Sequence, residues 1–234
     1  MISKAPIVLA LDTSDLTMAI GWVKATEGLV SVYKLGLEFF LTFGYAGVKA
    51  VASETDSEIF LDLKLHDIPH TVSGAARAIA ELAPKYVTVH ALGGGAMVAA
   101  AVASLPATLV TGVTILTSLS DAEVATLGFK ANALESATTL ASVAVNGGAR
   151  AIVCSPLEIR AIRKSVGLEI VIITPGVRPS GSESVDDQSR TLTPQEAIAH
   201  GADLVVIGRP ITSFWKQGAA AMRGRAESIC AQIL

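Results

Sequence analysis

The sequence predicts an α/β fold: a closed (β/α)8 barrel (TIM barrel) formed by residues 1–234 as a single domain. Three observations lead there. Short apolar, strand-like segments alternate with helical ones from end to end, and eight such pairs are countable, the number that closes a barrel. Hydrophobic residues make up 51% of the chain and charged residues only 17%, a balance that suits a sheet buried on both faces and excludes disorder. No linker divides the 234 residues, a length at which α/β barrels are commonly one domain. A doubly wound open sheet is the competing architecture, but it usually has fewer strands.

Pro6 to Asp12 reads as the first strand. Thr13, Ser14 and Asp15 offer N-caps for a helix through about Thr26, and Gly28 supplies a stop. Val30 to Leu35 is the second strand, followed by Gly36 and a helix to about Ala52. Ile59 to Leu65 is the third; Pro69 opens its helix, which runs to about Leu82 before Pro84 ends it. Tyr86 to Ala91 is the fourth, followed by Gly93-Gly94-Gly95 and an alanine-rich helix to about Ser104. Thr108 to Leu116 is the fifth. The segment from Thr117 to Asn132 is less regular, with a short helix from Asp121; a full helix from about Ala133 is closed by Gly147-Gly148. Ala149 to Cys154 is the sixth strand, Pro156 to about Val166 its helix, and Glu169 to Thr174 the seventh strand. Pro175 to Leu192 is a polar loop. Thr193-Pro194-Gln195-Glu196 forms a capping box with proline at the first helical position. Asp203 to Ile207 is the eighth strand, leading through Gly208-Arg209-Pro210 to one or two last helices.

A net charge of −3 without any basic run argues against a nucleic-acid partner, so any anion must be held by a few local groups. The apolar run from Ala5 to Leu11 is too short to cross a membrane and lacks a small-residue cleavage site. Cys154 and Cys230 lie far apart, match no metal spacing, and read as reduced buried thiols of a cytoplasmic protein.

Charge concentrates in Phe60-Leu61-Asp62-Leu63-Lys64-Leu65-His66-Asp67-Ile68-Pro69. A period of two puts Asp62 and Lys64 on one face and the leucines on the other. Asp67 follows where the strand ends, so the ammonium has two carboxylates in reach. A lone Asp-x-Lys reads more plainly as an exposed ion pair on an edge strand, which contributes only ~0–1 kcal/mol. The neighbouring strands argue otherwise. Val8, Ala10 and Asp12 share a face, as do Val30, Val32 and Lys34. If each set points inward, the mouth holds Asp, Lys, Asp and Lys on consecutive strands, at the end where such barrels place catalysis. Alternating signs limit the burial penalty. A satisfied structural ion network is the remaining bland reading.

The second cluster lies late. Strand seven runs into Pro175-Gly176-Val177-Arg178-Pro179 and strand eight into Gly208-Arg209-Pro210. The loops after these strands are the usual phosphate site of such barrels. Gly208 lets backbone approach an anion, Arg209 offers two donors at once, and the following helix adds its dipole. Ser180 to Arg190 reads as a lid, with Gln188 and Arg190 able to fold over a ligand. His66 and His90 read as structural hydrogen-bonders, and the glycine triplet as a turn.

Together, Leu9-Ala10-Leu11-Asp12, Tyr33-Lys34-Leu35-Gly36, Asp62-x-Lys64-x-x-Asp67-Ile68-Pro69, Pro175-Gly176-Val177-Arg178-Pro179, Asp187-Gln188-Ser189-Arg190 and Ile207-Gly208-Arg209-Pro210 resemble the orotidine 5′-phosphate decarboxylases, in order and across nearly the whole chain. The resemblance implies loss of CO2 from orotidine 5′-phosphate to give UMP, with no metal or organic cofactor. It implies Lys64 as the acid that protonates C6, flanked by Asp62 and Asp67, with Lys34 completing the charged chain. Asp12 and Lys34 would bind ribose hydroxyls and Thr117 the pyrimidine. Arg178, Gln188, Gly208 and Arg209 would hold the phosphate or close over it. The resemblance also implies a homodimer in which Asp67 and Thr71 reach the partner's site. The starting Met1 and near-complete barrel lead us to expect a free enzyme rather than part of a fusion. Two alternatives stay open: a magnesium-dependent phosphosugar barrel of the hexulose-phosphate synthase or keto-gulonate-phosphate decarboxylase type, and a silent nucleotide-binding barrel. The first needs an acidic residue on strand two, where this chain has Lys34.

Overall fold

The structure, a computed structural model, describes residues 4–179 and 192–234. Eight parallel strands close a barrel in chain order: β1 (Ala5–Ala10), β2 (Val30–Gly36), β3 (Glu58–Leu65), β4 (Tyr86–His90), β5 (Leu109–Val113), β6 (Ala151–Val153), β7 (Val171–Thr174) and β8 (Leu204–Ile207). Closure is direct, with Ile7, Val8 and Leu9 of β1 in register with Val205, Val206 and Ile207 of β8. Helices α1 (Leu16–Thr26), α2 (Leu37–Ala52), α3 (Pro69–Ile79), α4 (Gly94–Ser104), α5 (Asp121–Thr126), α6 (Ala133–Asn146), α7 (Ile159–Val166), α8 (Pro194–Ala199), α9 (Arg209–Thr212) and α10 (Ala219–Cys230) follow the strands. The expected (β/α)8 architecture is present, and the open sheet is excluded by the β1–β8 pairing.

Alternation along the strands divides the core into two shells. Val8, Val32, Phe60, Tyr86, Ala151, Ile173 and Leu204 fill the barrel's lower interior, where the Phe60 and Tyr86 rings meet at 5.6 Å between centroids. Their neighbours Leu9, Tyr33, Leu61 and Val87 point outward and pack against the helices. The interior is therefore plugged from below, as in other barrels of this kind, and the C-terminal mouth above it opens into a pocket.

Several boundaries differ from the sequence pattern, each for a physical reason. β5 and β6 are shorter than their apolar runs, because apolar patterning marks burial rather than ladder pairing: Thr114 and Ile115 are buried yet lie beyond β5. The helix expected from Gly36 to Ala52 is broken at Gly44, whose φ of 54° no ordinary helical residue adopts. The helix expected to reach Leu82 ends at Ile79 and finishes as a 3₁₀ turn, Ala80–Leu82. α9 is a single turn, so the dipole expected after Gly208 is short. The Thr193–Glu196 capping box forms as read. The expected lid, with Gln188 and Arg190, lies outside the described residues; at its base Arg178 N–H donates to the Leu192 carbonyl at 2.8 Å. Among the described residues, no helix is long and apolar enough to cross a membrane.

Candidate active site

β1, β2 and β3 are neighbours in the barrel, so charges at the ends of these three strands converge. Lys34 Nζ lies 3.1 Å from Asp12 Oδ1 and 3.4 Å from Asp62 Oδ2. Lys64 Nζ donates to Asp62 Oδ1 at 2.8 Å. The order Asp12–Lys34–Asp62–Lys64 is thus a continuous chain of alternating sign. Its middle is dry: the Lys34 side chain is 10% exposed and that of Asp62 14%, against 58% for Asp12 and 34% for Lys64. Room for it depends on Gly36, where an added Cβ would lie 3.2 Å from both Asp12 Oδ1 and Lys34 Nζ. The mouth opens into a pocket of about 310 Å3. One wall holds the charges. The floor and far wall are apolar, made by Phe60, Val113, Ile115, Val153 and Val206. Pro175, Gly176, Arg178, Gly208, Arg209 and Pro210 close the remaining side, and Thr117 lies at the rim after β5.

Of the residues singled out in the sequence, Asp12, Lys34, Asp62, Lys64, Thr117, Arg178, Gly208 and Arg209 all line this one pocket. Asp67 and Thr71 do not. Both are exposed, Asp67 Oδ1 accepts from the Ile68 N–H at 2.6 Å, and among the described residues Lys64 pairs with Asp62 alone. The expectation of two carboxylates in reach of Lys64 within one chain is corrected accordingly: the chain turns at Asp67, where simple strand spacing no longer applies. His66 and His90 stack, with ring centroids 5.3 Å apart. Burial, with His66 and Lys64 nearby, pushes the His90 imidazole below its ordinary value, so it is neutral at pH 7. Among the described residues no group of three or more His, Cys, Asp or Glu side chains is arranged to hold a metal ion.

Sequence reasoning missed Thr88. This side chain on β4 is fully buried, its Oγ1 donates to Asp62 Oδ1 at 3.0 Å, and it accepts from the Lys64 backbone N–H at 2.8 Å. The available signal was a hydroxyl on the interior face between Val87 and Val89, two residues above Tyr86. Lys64 itself adopts φ 46°, a left-handed conformation that costs a non-glycine residue about 1–3 kcal/mol.

Burial pushes the Lys34 ammonium down, but Asp62 and Asp12 beside it outweigh that and hold its pKa above the ordinary 10.5. Burial likewise pushes Asp62 up, yet Lys34, Lys64 and the hydroxyl of Thr88 hold it below 3.8. The signs differ for stability. Lys34 contributes stability that is fully present below 10.5 and lost as pH rises through its folded value. Asp62 contributes stability that is present above 3.8 and lost as pH falls through its folded value. Asp62→Asn is expected to cost about 3 kcal/mol at neutral pH, the low end for a broken buried pair because Asp12 still faces Lys34. It should also flatten the acid side of the stability profile. Urea unfolding from about pH 6 to about pH 3 checks this; a variant as acid-sensitive as the wild type would refute it.

Known proteins fit this geometry. Residues 5–223 match the model of the family described as "Orotidine 5'-phosphate decarboxylase / HUMPS family". A protein of Thermobifida fusca named orotidine 5′-phosphate decarboxylase is 50% identical over 223 residues, covering 95% of each chain. One of the same name from Frankia casuarinae is 45% identical, over 93% of this chain and 85% of that one. The crystal structure of orotidine 5′-phosphate decarboxylase from Lactobacillus acidophilus superposes with a TM-score of 0.81 at 31% identity, covering 98% of this chain and 99% of that one. The chain therefore belongs to the orotidine 5′-phosphate decarboxylase / HUMPS family.

Proposed function

We propose that this protein decarboxylates orotidine 5′-phosphate to UMP, the last step of UMP synthesis, with Lys64 as proton donor and no metal or organic cofactor. The observation that carries this reading is the alternation Asp12–Lys34–Asp62–Lys64 at 3.1, 3.4 and 2.8 Å. Breaking the C6–CO2 bond leaves an electron pair on an sp2 carbon with little resonance help. A fixed ammonium stabilises that charge without reorganising, then delivers its proton to C6. Asp12 and Lys34 would bind ribose hydroxyls and Thr117 the pyrimidine, while Arg178, Gly208 and Arg209 hold the phosphate. The apolar far wall strengthens every charge interaction by excluding water. Gln188 carries its expected phosphate contact as part of the proposal.

The magnesium-dependent phosphosugar enzymes are disfavoured by Lys34: an ammonium on β2 repels a divalent cation where they need a carboxylate. A silent nucleotide binder has no use for a strained, anchored lysine.

A homodimer with shared sites is part of the reading. Asp67 and Thr71 are exposed outside their own pocket, and the same side of the rim carries exposed apolar residues after successive strands: Leu37 and Leu41 after β2, Ile68 after β3, Leu92 after β4. A second copy of this chain covering that face would bury them and bring Asp67 to the neighbouring Lys64. The net charge of −3 and two buried free thiols support a cytoplasmic enzyme without nucleic-acid or membrane partners.

Protein dialysed against a chelator should consume orotidine 5′-phosphate at full rate by absorbance; activity restored only by magnesium would favour the phosphosugar class. Lys64→Ala should lower kcat/KM by at least about 10⁴-fold, and near wild-type turnover in a pure preparation would remove Lys64 as the acid. Arg209→Ala should raise KM about 10–100-fold, the worth of a charge-assisted hydrogen bond; an unchanged KM for the phosphorylated substrate would count against a phosphate role. Mixing Lys64→Ala with Asp67→Ala protein should restore roughly a quarter of wild-type activity, because half of the randomly exchanged dimers carry one intact site. No recovery despite proven subunit exchange would exclude sharing.

A further inference from the structure

We propose that Thr88 is a positioning residue for Lys64, its one hydroxyl tying the lysine's backbone to the carboxylate that anchors the lysine's ammonium. The inference rests on the reading of Lys64 as proton donor and adds a residue on a different strand. Along the β3–β4 ladder, Leu61 pairs with Val87 and Leu65 with Val89. Asp62, Leu63 and Lys64 therefore stand opposite Thr88 alone, a bulge of two extra residues on β3. Bulges re-aim side chains and leave backbone groups without ladder partners. Thr88 meets both consequences. Its Oγ1 accepts the Lys64 N–H at 2.8 Å, and it donates to Asp62 Oδ1 at 3.0 Å, the same oxygen that takes the Lys64 ammonium at 2.8 Å. The ring Lys64 N–H, Thr88 hydroxyl, Asp62 carboxylate, Lys64 ammonium is closed.

This tie accounts for two otherwise unconnected facts. Lys64 holds φ 46°, a conformation that persists only where its surroundings over-determine it. Its ammonium has one carboxylate among the described residues, whereas Lys34 has two. A lysine on a flexible four-carbon stem needs its backbone held as well as its tip if the ammonium is to point one way. Thr88 is fully buried and does not line the pocket, so it acts on the aim of Lys64 rather than on the substrate.

The test compares Thr88→Val, which removes the hydroxyl at nearly constant volume, with Thr88→Ser, which keeps it. Thr88→Val is expected to lower kcat about 10²-fold with KM within a few-fold of wild type, as for a catalytic group displaced by about 1 Å. Thr88→Ser should restore most of the rate. Hydrogen exchange at the Lys64 amide should be slow in wild type and Thr88→Ser and fast in Thr88→Val. Should Thr88→Val not fold, Thr88→Ala carries the same comparison. Full turnover by the variant lacking the hydroxyl, equal losses in both variants, or a loss confined to KM would overturn the role. An inert wild-type protein would overturn the decarboxylase reading and the Thr88 role together, whereas an active wild type with an unimpaired Thr88→Val would overturn the Thr88 role alone.

Discussion

Lys34 is the most demanding residue in the barrel: an ammonium, nine-tenths buried, held above a floor of valine and phenylalanine side chains. Taking that charge out of water costs several kcal/mol, and the cost is offset only because Asp12 and Asp62 flank it. Each partner comes from a different strand. The arrangement therefore exists only when β1, β2 and β3 are adjacent, parallel and in register, with Ala10 opposite Lys34 and Gly36 opposite Asp62. A slip of one residue on β2 would turn Lys34 outward among the helices and leave two carboxylates facing each other. The charge chain and the barrel register thus specify each other.

The same packing explains the shape of the pocket. Phe60 and Tyr86 fill the lower interior, so the mouth is a cup floored by side chains. Charge occupies the β1–β3 side of the cup, apolar residues from β5 and β6 its far side, and the glycine–arginine loops after β7 and β8 complete the ring. Under the proposed activity, a substrate with a phosphate tail and a flat, carboxylate-bearing head lies with the tail toward Arg209 and the head over Lys64. Under the proposed activity, binding the phosphate positions the reacting carbon at the ammonium, so binding energy far from the chemistry contributes to the rate.

The strain at Lys64 belongs to this picture. A regular β3–β4 ladder would pair every backbone group and offer no left-handed residue. The bulge gives up that regularity beside the groups proposed to perform the chemistry, while the barrel stays closed around its two-shell core. Local irregularity of this kind persists where surrounding contacts outweigh it, and Thr88 and Asp62 supply those contacts.

The chain's alternating apolar segments were enough to read eight βα units, and with them the barrel, because burial on both faces of a parallel sheet leaves a pattern that local sequence carries directly. Asp12, Lys34, Asp62 and Lys64 were legible for the same reason: a period of two places charges among apolar neighbours, and strand order places them side by side. Gly208 and Arg209 were legible from their position after the eighth strand. Other features had no such local signature. The bulge opposite Thr88 is a relation between two strands, invisible to the spacing within either, so the hydroxyl that holds Lys64 and the left-handed turn beneath it could not be read from β3 or β4 alone. Nor could the placement of Asp67, which strand spacing put beside Lys64 and the tertiary turn carries to the outer rim. Patterning along one strand reports which face is buried; only the packed barrel decides which atoms meet, because hydrogen bonds and ion pairs depend on distances across strands that the chain order does not encode.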